Sequence, residues 1–211
     1  MRRLPVYLLL DTSGSMKGEP IEAVRCGIQT LISTLRRDPQ ALETVFISII
    51  TFDREVKVIL PLTSLESLQV PEIEMPDSGP TMLGAALAVL CQQVDKEVIL
   101  SSDKVKRDWK PLLFIMTDGK PSDTKLFQEM IPECKRRNFA IITGCAAGMK
   151  ADTNSLQLIA TSVVKLDTCD SATFEQYFKW VSASIMSGSQ SVGTSIELTL
   201  PPPPSEVDVV I

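Results

Sequence analysis

Three oxygen-bearing side chains alternate along one short segment near the amino terminus. Asp11, Ser13 and Ser15 follow directly after the apolar residues 6–10. That apolar run is too short to span a membrane and is typical of a buried strand, whose end would carry Asp11 to the surface. Gly14 gives the segment the freedom to turn all three side chains toward one point. A carboxylate and two hydroxyls are ligands that suit a hard cation such as Mg²⁺.

More oxygens are needed to complete such a site, because Mg²⁺ prefers a near-octahedral set of oxygen ligands. Two candidates lie downstream, each beside a predicted strand or helix end: Thr81, after Gly79 and Pro80, and Asp118, after the apolar segment 112–116. The full pattern is D-x-S-x-S, then T, then D. Each piece alone is typical of a helix cap or a turn. Their joint occurrence in this order favours a metal site, and Mg²⁺, Mn²⁺ and Ca²⁺ all accept such an oxygen cage.

The pattern resembles the metal-ion-dependent adhesion site (MIDAS) of the von Willebrand factor A (VWA) domain family, over roughly residues 4–187. The opening RRLPVYLLLDTSGSM and the later FIMTDGKP are similar to the bacterial tellurium-resistance (TerY-like) group of that family. The resemblance implies Ser13, Ser15 and Thr81 as direct ligands. It implies that Asp11 and Asp118 act mainly through water and that one coordination position is left for an acidic side chain of a partner.

The same resemblance implies a function without catalysis, as a divalent-cation-dependent protein-interaction module. Within the TerY-like group it implies a bacterial tellurite-resistance and stress-response setting, with a protein kinase and a PP2C-like phosphatase as associates. Pro80 departs from the small residue that is more usual in the family.

Two alternatives stay open. In one, the domain holds a purely structural metal and its partners bind the carboxy-terminal tail or a sheet edge. In the other, it is a Mg²⁺-dependent hydrolase that activates water or clamps phosphate. The hydrolase would have to work without histidine, a phosphate loop of P-loop spacing or a close pair of carboxylates, because the chain has none of these.

Composition argues against several functions. The chain has 211 residues with 21 Lys and Arg against 26 Asp and Glu, a formal charge of -5, which argues against nucleic acid or an anionic membrane as the main partner. It has no histidine, which nearly excludes zinc sites and Ser/His/Asp chemistry.

The cysteines of the chain are odd in number and widely spaced, which favours reduced core thiols and a cytoplasmic location. They are Cys26, Cys91, Cys134, Cys145 and Cys169.

Apolar strands alternate with amphipathic helices along the chain. We predict strands at 6–10, 45–52, 56–60, 112–116, 139–145 and 163–166. We predict helices at 20–37, 81–96, 123–137 and 155–161, and a last helix from Ser171 or Thr173. The second and third strands are close enough for an antiparallel hairpin. Pro132 should kink or split its helix, and residues 61–80 should form a surface connection that carries Thr81 to the metal.

This alternation indicates an α/β fold with a mostly parallel sheet. Asp11 and Asp118 would then lie at the carboxyl ends of strands, where the ligands of such sheets bind. The VWA resemblance implies in addition a Rossmann-like, doubly wound order with one antiparallel edge strand and helices on both faces.

We expect one domain at residues 1–187, followed by a linker and a Pro-rich tail at 188–211. Residues 187–191 are typical of a linker, residues 195–200 alternate as a strand would, and the prolines at 201–204 favour an extended chain. The end, 207–211, is apolar and β-prone. A disordered terminus is one outcome; an ordered tail would add a strand to a sheet edge or lie in a groove, in its own or a neighbouring molecule.

Overall fold

The structure, a computed structural model, describes residues 2–74, 79–100, 107–148, 151–168, 170–190, 200–204 and 208–210. The strands within these ranges are β1 (Leu4–Asp11), β2 (Val45–Phe52), β3 (Val56–Ser64), β4 (Leu112–Thr117), β5 (Ile141–Ala147), β6 (Ser162–Leu166) and β7 (Asp208–Val210). The helices are α1 (Glu19–Leu35), α2 (Pro39–Thr44), α3 (Leu83–Glu97), α4 (Thr124–Arg136), α5 (Thr153–Ile159) and α6 (Ser171–Gln190).

The strands form one sheet of order β3-β2-β1-β4-β5-β6-β7. The five strands from β2 to β6 in this order are parallel, and β3 pairs antiparallel with β2. The predicted α/β class, the mostly parallel sheet and the antiparallel edge strand are confirmed. The short β7 pairs antiparallel with β6 at the opposite edge, through Val163 and Val210, and so adds a strand that the family resemblance did not imply.

The two faces of the sheet are covered by different helices, as predicted. In β1, Leu8 and Leu10 belong to the apolar cluster that includes α1 and α6, whereas Tyr7 and Leu9 belong to the cluster that includes α3 and α4. Every residue of β1 is buried. A parallel strand that is covered on both faces must be apolar along its whole length, which explains the continuous run in the sequence.

The first helix follows the predicted pattern and is followed by a helix that was not predicted. The apolar face of α1 is buried, at Ile21, Val24, Ile28, Leu31, Ile32 and Leu35. Helix α1 ends at Leu35, and Asp38 and Pro39 begin α2. Asp38 Oδ1 accepts a hydrogen bond from Ala41 N at 2.7 Å, and Pro39 takes the first helical position, where its missing N–H costs nothing.

The prediction of a surface connection over residues 61–80 is wrong for its first part. Strand β3 continues through Pro61 to Ser64, which an edge strand tolerates because one side of it needs no N–H donors. Beyond it, three apolar side chains are buried in the core, at Leu65, Leu68 and Ile73. This connection is therefore partly a packed segment.

Pro132 does not split α4, which is continuous from Thr124 to Arg136. The ring of Pro132 lies on the exposed side of the helix, and so does Gln128, whose carbonyl loses its intrahelical donor. Water can satisfy that carbonyl, so the proline is tolerated there.

The last helix, α6, continues to Gln190, three residues past the expected boundary at 187. Gly188 and Ser189 are buried within it, and Gln40 Nε2 of α2 donates a hydrogen bond to the carbonyl oxygen of Ser189 at 2.7 Å. Residues 188–190 are thus helical and packed, although their composition is typical of a linker.

The described parts of the tail lie on the domain. Trp180 Nε1 donates to the carbonyl oxygen of Pro201 at 2.9 Å, Leu200 packs against the core, and residues 208–210 form β7 on the domain's own sheet edge. The strand expected at 195–200 lies outside the described residues except for Leu200.

Four of the five cysteines fall within the described residues, and none of these four forms a disulfide. Cys91, Cys134 and Cys145 are buried as predicted, but Cys26 is exposed on α1; Cys169 lies outside the described part. In the ranges that the structure describes, no helix has the length and apolar character needed to cross a bilayer.

Candidate metal centre

Two parallel strands deliver the candidate site to one edge of the sheet. Strands β1 and β4 are neighbours, with Leu10 opposite Met116, so Asp11 and Asp118 emerge side by side at their carboxyl ends. After β1 the chain continues to β2 on one side of the sheet, whereas after β4 it continues to β5 on the other side, so the direction of strand order reverses between β1 and β4. Ligands of open α/β sheets bind at such a reversal because the loops diverge there and leave a crevice.

Asp11 is the most buried acidic group of the candidate site, with 1% of its surface exposed. Its Oδ1 accepts a hydrogen bond from Ser13 N at 2.7 Å, and its Oδ2 accepts one from Thr117 Oγ1 at 2.5 Å. Burial raises the pKa of Asp11 to about 6, and the two hydrogen bonds and the nearby Asp118 modify that effect without reversing it. Asp11 forms no ion pair with any described residue, so a bound cation would offset the cost of burying its charge.

Hydroxyl groups connect Asp11 to Asp118. Ser13 Oγ lies 3.2 Å from Ser15 Oγ, and Ser15 Oγ donates to Asp118 Oδ1 at 2.9 Å. Ser13 is buried and Ser15 is exposed. Burial also raises the pKa of Asp118. The first and last parts of the sequence pattern therefore form one continuous cluster of oxygen atoms.

Thr81 lies beside this cluster. Its Oγ1 is 3.1 Å from the point that a Cβ on Gly119 would occupy, next to Asp118, and its side chain is largely buried, with 7% of the residue exposed. Two residues before it, the carbonyl oxygen of Gly79 accepts a hydrogen bond from Gly14 N at 3.4 Å. The structure thus brings all five residues of the pattern to the same edge. That they bind a cation stays a prediction.

Gly14 does not need the conformational freedom expected of it. The positive φ of this loop falls at Gly18, with φ 92°, just before α1. Gly14–Met16 instead form a short 3-10 turn, and the Met16 side chain is buried beneath it. The turn itself orients Ser13 and Ser15.

Two residues of the site were missed by the sequence analysis. The first is Thr117, at the end of β4, which donates a hydrogen bond to Asp11. The second is Asp53, which links two loops: its Oδ2 accepts from Thr12 Oγ1 at 3.3 Å, and its backbone oxygen accepts from Met82 N at 3.2 Å. A signal for Asp53 was present, because it directly follows β2 and the carboxyl ends of parallel strands meet at one edge.

The donor set fits a hard cation. It consists of two carboxylates and three hydroxyls, all oxygen ligands of the kind that Mg²⁺, Mn²⁺ and Ca²⁺ accept. No group of three or more His, Cys, Asp or Glu side chains that could hold a metal occurs in the described ranges. A metal at this edge would therefore depend on hydroxyl ligands.

Comparison with known proteins decides the family. The sequence profile of the von Willebrand factor type A domain matches residues 6–178. The chain belongs to the VWA domain family. VWA domains are known as metal-dependent protein-interaction modules, and they commonly bind a divalent metal at the MIDAS site. Of the predicted resemblance, the family is confirmed, and the TerY-like subgroup stays a prediction.

Solved VWA structures share the fold of this chain. The von Willebrand factor type A protein from Catenulispora acidiphila superposes with a TM-score of 0.62 at 19% identity, covering 88% of this chain and 43% of that one. Proximal thread matrix protein 1 from the mussel byssus, solved with a zinc-occupied MIDAS motif, gives 0.63 at 16% identity, covering 86% and 48%. Identities this low support the fold alone.

A curated relative shares more sequence with this VWA domain. The uncharacterized protein sll0103 of Synechocystis sp. is 32% identical over 120 residues, which is 56% of this chain and 26% of that protein. The chain thus spans about a quarter of the length of this relative, and less than half of the two solved chains.

Proposed function

We propose that this VWA domain binds a protein partner through a divalent cation held at the carboxyl edge of β1 and β4. Ser13, Ser15 and Thr81 supply hydroxyl ligands, while the carboxylates act mainly through water. The supporting observation is the environment of Asp11: a buried carboxylate at the end of β1, hydrogen-bonded to Ser13 and Thr117, that forms no ion pair within the described residues.

The charge balance of the site supports an acidic ligand on the partner. The hydroxyls are neutral, so within the proposed donor set only the carboxylates of Asp11 and Asp118 offset the +2 charge of the cation. When the negative charge of the ligands does not exceed the +2 charge of the cation, the cation attracts a further anion more strongly than it would in a cage of several carboxylates. We therefore assign the open coordination position to an Asp or Glu of the partner, and Mg²⁺ to the site, with Mn²⁺ and Ca²⁺ as the alternatives.

Exposed basic residues next to the site loops also favour an acidic partner. Lys17, Arg54 and Lys120 follow the loops after β1, β2 and β4, are exposed, and form no ion pair within the described part of the chain. Asp53, Glu19 and Glu55 lie close to them in sequence and offset part of this attraction.

For the biological setting, we propose a bacterial cytoplasmic adaptor in tellurite resistance and stress response that works with a protein kinase and a PP2C-like phosphatase. The support is the similarity of residues 2–16 and 114–121 to the TerY-like group. We further propose that the domain has no catalytic activity of its own, since acid–base catalysis would have to proceed without histidine.

The test is a pull-down from bacterial lysate in Mg²⁺ with wild type and Thr81→Ala, read by mass spectrometry. Thr63→Ala is the matched control, because Thr63 bonds Pro61 near the opposite end of the sheet. We expect a partner that wild type and Thr63→Ala capture, and that EDTA or Thr81→Ala removes. Capture that survives both treatments would show that the metal site is not the interface.

A second candidate keeps the VWA domain but moves the interface to the tail. The observation that favours it is β7, which places the tail on the β6 edge of the sheet. Deletion of residues 191–211 separates the two candidates. Loss of the partner with unchanged metal affinity would support the tail, whereas retained capture would support the metal site.

A further inference from the structure

Thr81 differs from the other proposed ligands because no strand leads directly into it. Residues 79–82 are irregular chain ahead of α3, so contacts from elsewhere must fix its hydroxyl. Both backbone polar groups of Thr81 bond to Ser122: Thr81 N donates to Ser122 Oγ at 3.1 Å, and Ser122 N donates to the carbonyl oxygen of Thr81 at 2.8 Å. This reciprocal pair ties Thr81 to the segment that follows Asp118.

The first turn of α3 is held by the same segment. Asp123 Oδ1 accepts from Gly84 N at 3.0 Å, and Asp123 Oδ2 accepts from Ala85 N at 2.8 Å. Met82 precedes α3 but gives it no side-chain cap, and Asp123 gives none to its own helix, α4. A carboxylate at these free N–H groups is favourable because it satisfies them and faces the positive end of the helix dipole. Asp123 therefore caps α3, the helix that Thr81 leads into.

Gly84 allows this contact. A Cβ at that position would lie 2.8 Å from Asp123 Oδ2 and would overlap the backbone nitrogen of Phe127. A larger residue would push the start of α3 away from α4. Glycine thus lets the two helix starts meet closely enough for both carboxylate oxygens of Asp123 to reach the α3 amides.

We propose that Ser122 and Asp123 are positioning residues that set Thr81 against Asp118 and so fix the spacing of the ligands across the cation. This inference rests on the proposed function. Residues 118–123 carry one proposed ligand at their start and the anchor of another at their end. Neither Ser122 nor Asp123 is itself a ligand; each acts through the backbone around Thr81.

Calorimetric titration with Mg²⁺, and with Mn²⁺ in parallel, tests the proposal. Asp123→Asn removes one of the two acceptors for the α3 amides, and Ser122→Ala removes the acceptor for Thr81 N. Loss of residues that orient ligands weakens metal binding by about 10- to 100-fold, and we expect a loss in this range for both variants. Ser122→Thr keeps the hydroxyl and should retain the wild-type affinity, which a general loss of stability would not explain.

Asp152→Asn is the matched control. Asp152 caps α5, far along the chain, by accepting from Ser155 N at 3.3 Å and from the Ser155 hydroxyl. We expect this variant to have a lower Tm and an unchanged metal affinity. Unchanged affinity in Asp123→Asn, or an equal loss in Asp152→Asn, would overturn the positioning role alone. The wild-type titration tests the proposed function separately. If the wild-type protein binds neither Mg²⁺ nor Mn²⁺, the proposed function fails, and this inference fails with it.

Discussion

The chemistry of the site depends on the carboxylate of Asp11 and on the groups that keep it in place. Thr117 Oγ1 donates to Asp11 Oδ2 at 2.5 Å and also accepts from Gly119 N at 3.2 Å. One hydroxyl therefore orients the carboxylate and the turn that presents Asp118. At the proposed metal site, a residue in this position would control the metal affinity without contacting the metal.

Replacing Thr117 with valine removes this hydroxyl and keeps the shape of the side chain. We expect Mg²⁺ binding, measured by calorimetry, to weaken about 10- to 100-fold. Thr143→Val is the control, because Thr143 is also buried in a strand and bonds Ser162 rather than the site. Equal affinities of Thr117→Val and wild type would contradict the role given to Thr117.

The raised pKa of Asp11 predicts a pH dependence of metal binding. Because protons compete with the cation for the carboxylate, we expect Mg²⁺ affinity to fall as the pH drops below about 6, the pKa of Asp11 without metal. Titrations between pH 5 and 8 measure this. An affinity that stays constant across this range would show that Asp11 does not support the cation.

In the metal-free protein, the contribution of Asp11 to stability should depend on pH in the opposite direction. The pKa of Asp11 rises from 3.8 to about 6 on folding, so its contribution to stability is fully present below pH 3.8 and is lost as the pH rises through 6. A shift of roughly two pKa units corresponds to about 3 kcal/mol. Urea unfolding in EDTA at pH 4 and pH 7.5 should show this contribution as the difference between wild type and Asp11→Asn in their change of unfolding free energy, because the other titrating groups are common to both.

Helix packing on the side of the sheet away from α3 and α4 depends on one small residue. Helices α1 and α6 lie against each other on the sheet, and a Cβ on Gly27 of α1 would overlap the ring of Phe178 of α6. Both helices are part of the larger apolar cluster. The contact lets α1 lie close to α6 just after α1 leaves the site loop.

Gly27→Ala should therefore destabilise the protein, although alanine is the better helix former by about 1 kcal/mol. We expect a loss of about 1–3 kcal/mol in urea unfolding, the usual cost of overpacking a core. Phe178→Leu in the same chain should recover part of that loss, and Ser33→Ala on the exposed side of α1 should change little. Additive effects of Gly27→Ala and Phe178→Leu would show that the two residues are not in contact.

At the scale of the whole molecule, the tail completes one edge of the sheet. Trp180 of α6 is only 5% exposed and donates to Pro201, and β7 covers the hydrogen-bonding edge of β6. An unpaired strand edge is a template for association with another chain. The tail thus protects the edge of the domain that lies farthest from β3.

A chain that ends at Gln190 should expose Trp180. In a Trp109→Phe background, acrylamide should quench the remaining tryptophan more strongly in the truncated chain than in the full one. The Tm should fall by about 2–4 °C for each kcal/mol lost, while the Mg²⁺ affinity stays unchanged because the site lies at β1 and β4. Equal quenching of the two chains would contradict the contact between Trp180 and Pro201.

The sequence alone determined the fold class, most element positions and the five candidate site residues. These are local properties: a buried parallel strand is apolar throughout, a helix repeats its apolar positions every three to four residues, and polar residues follow the strand ends. The order of D-x-S-x-S, T and D also pointed to the VWA family, which the profile match confirmed. The TerY-like setting remains a proposal because it rests on two short segments.

The tertiary structure alone decided how distant segments fix one another. Asp123 precedes α4 in the sequence, where it could cap that helix, but its side chain caps α3 instead. Residues 188–190 have the composition of a linker but pack on α2. Thr117 bonds Asp11, which lies 106 positions away in the chain. Such partners depend on which elements become neighbours when the sheet forms. Local composition cannot encode them, because the free energy of each contact belongs to two segments that are far apart in sequence.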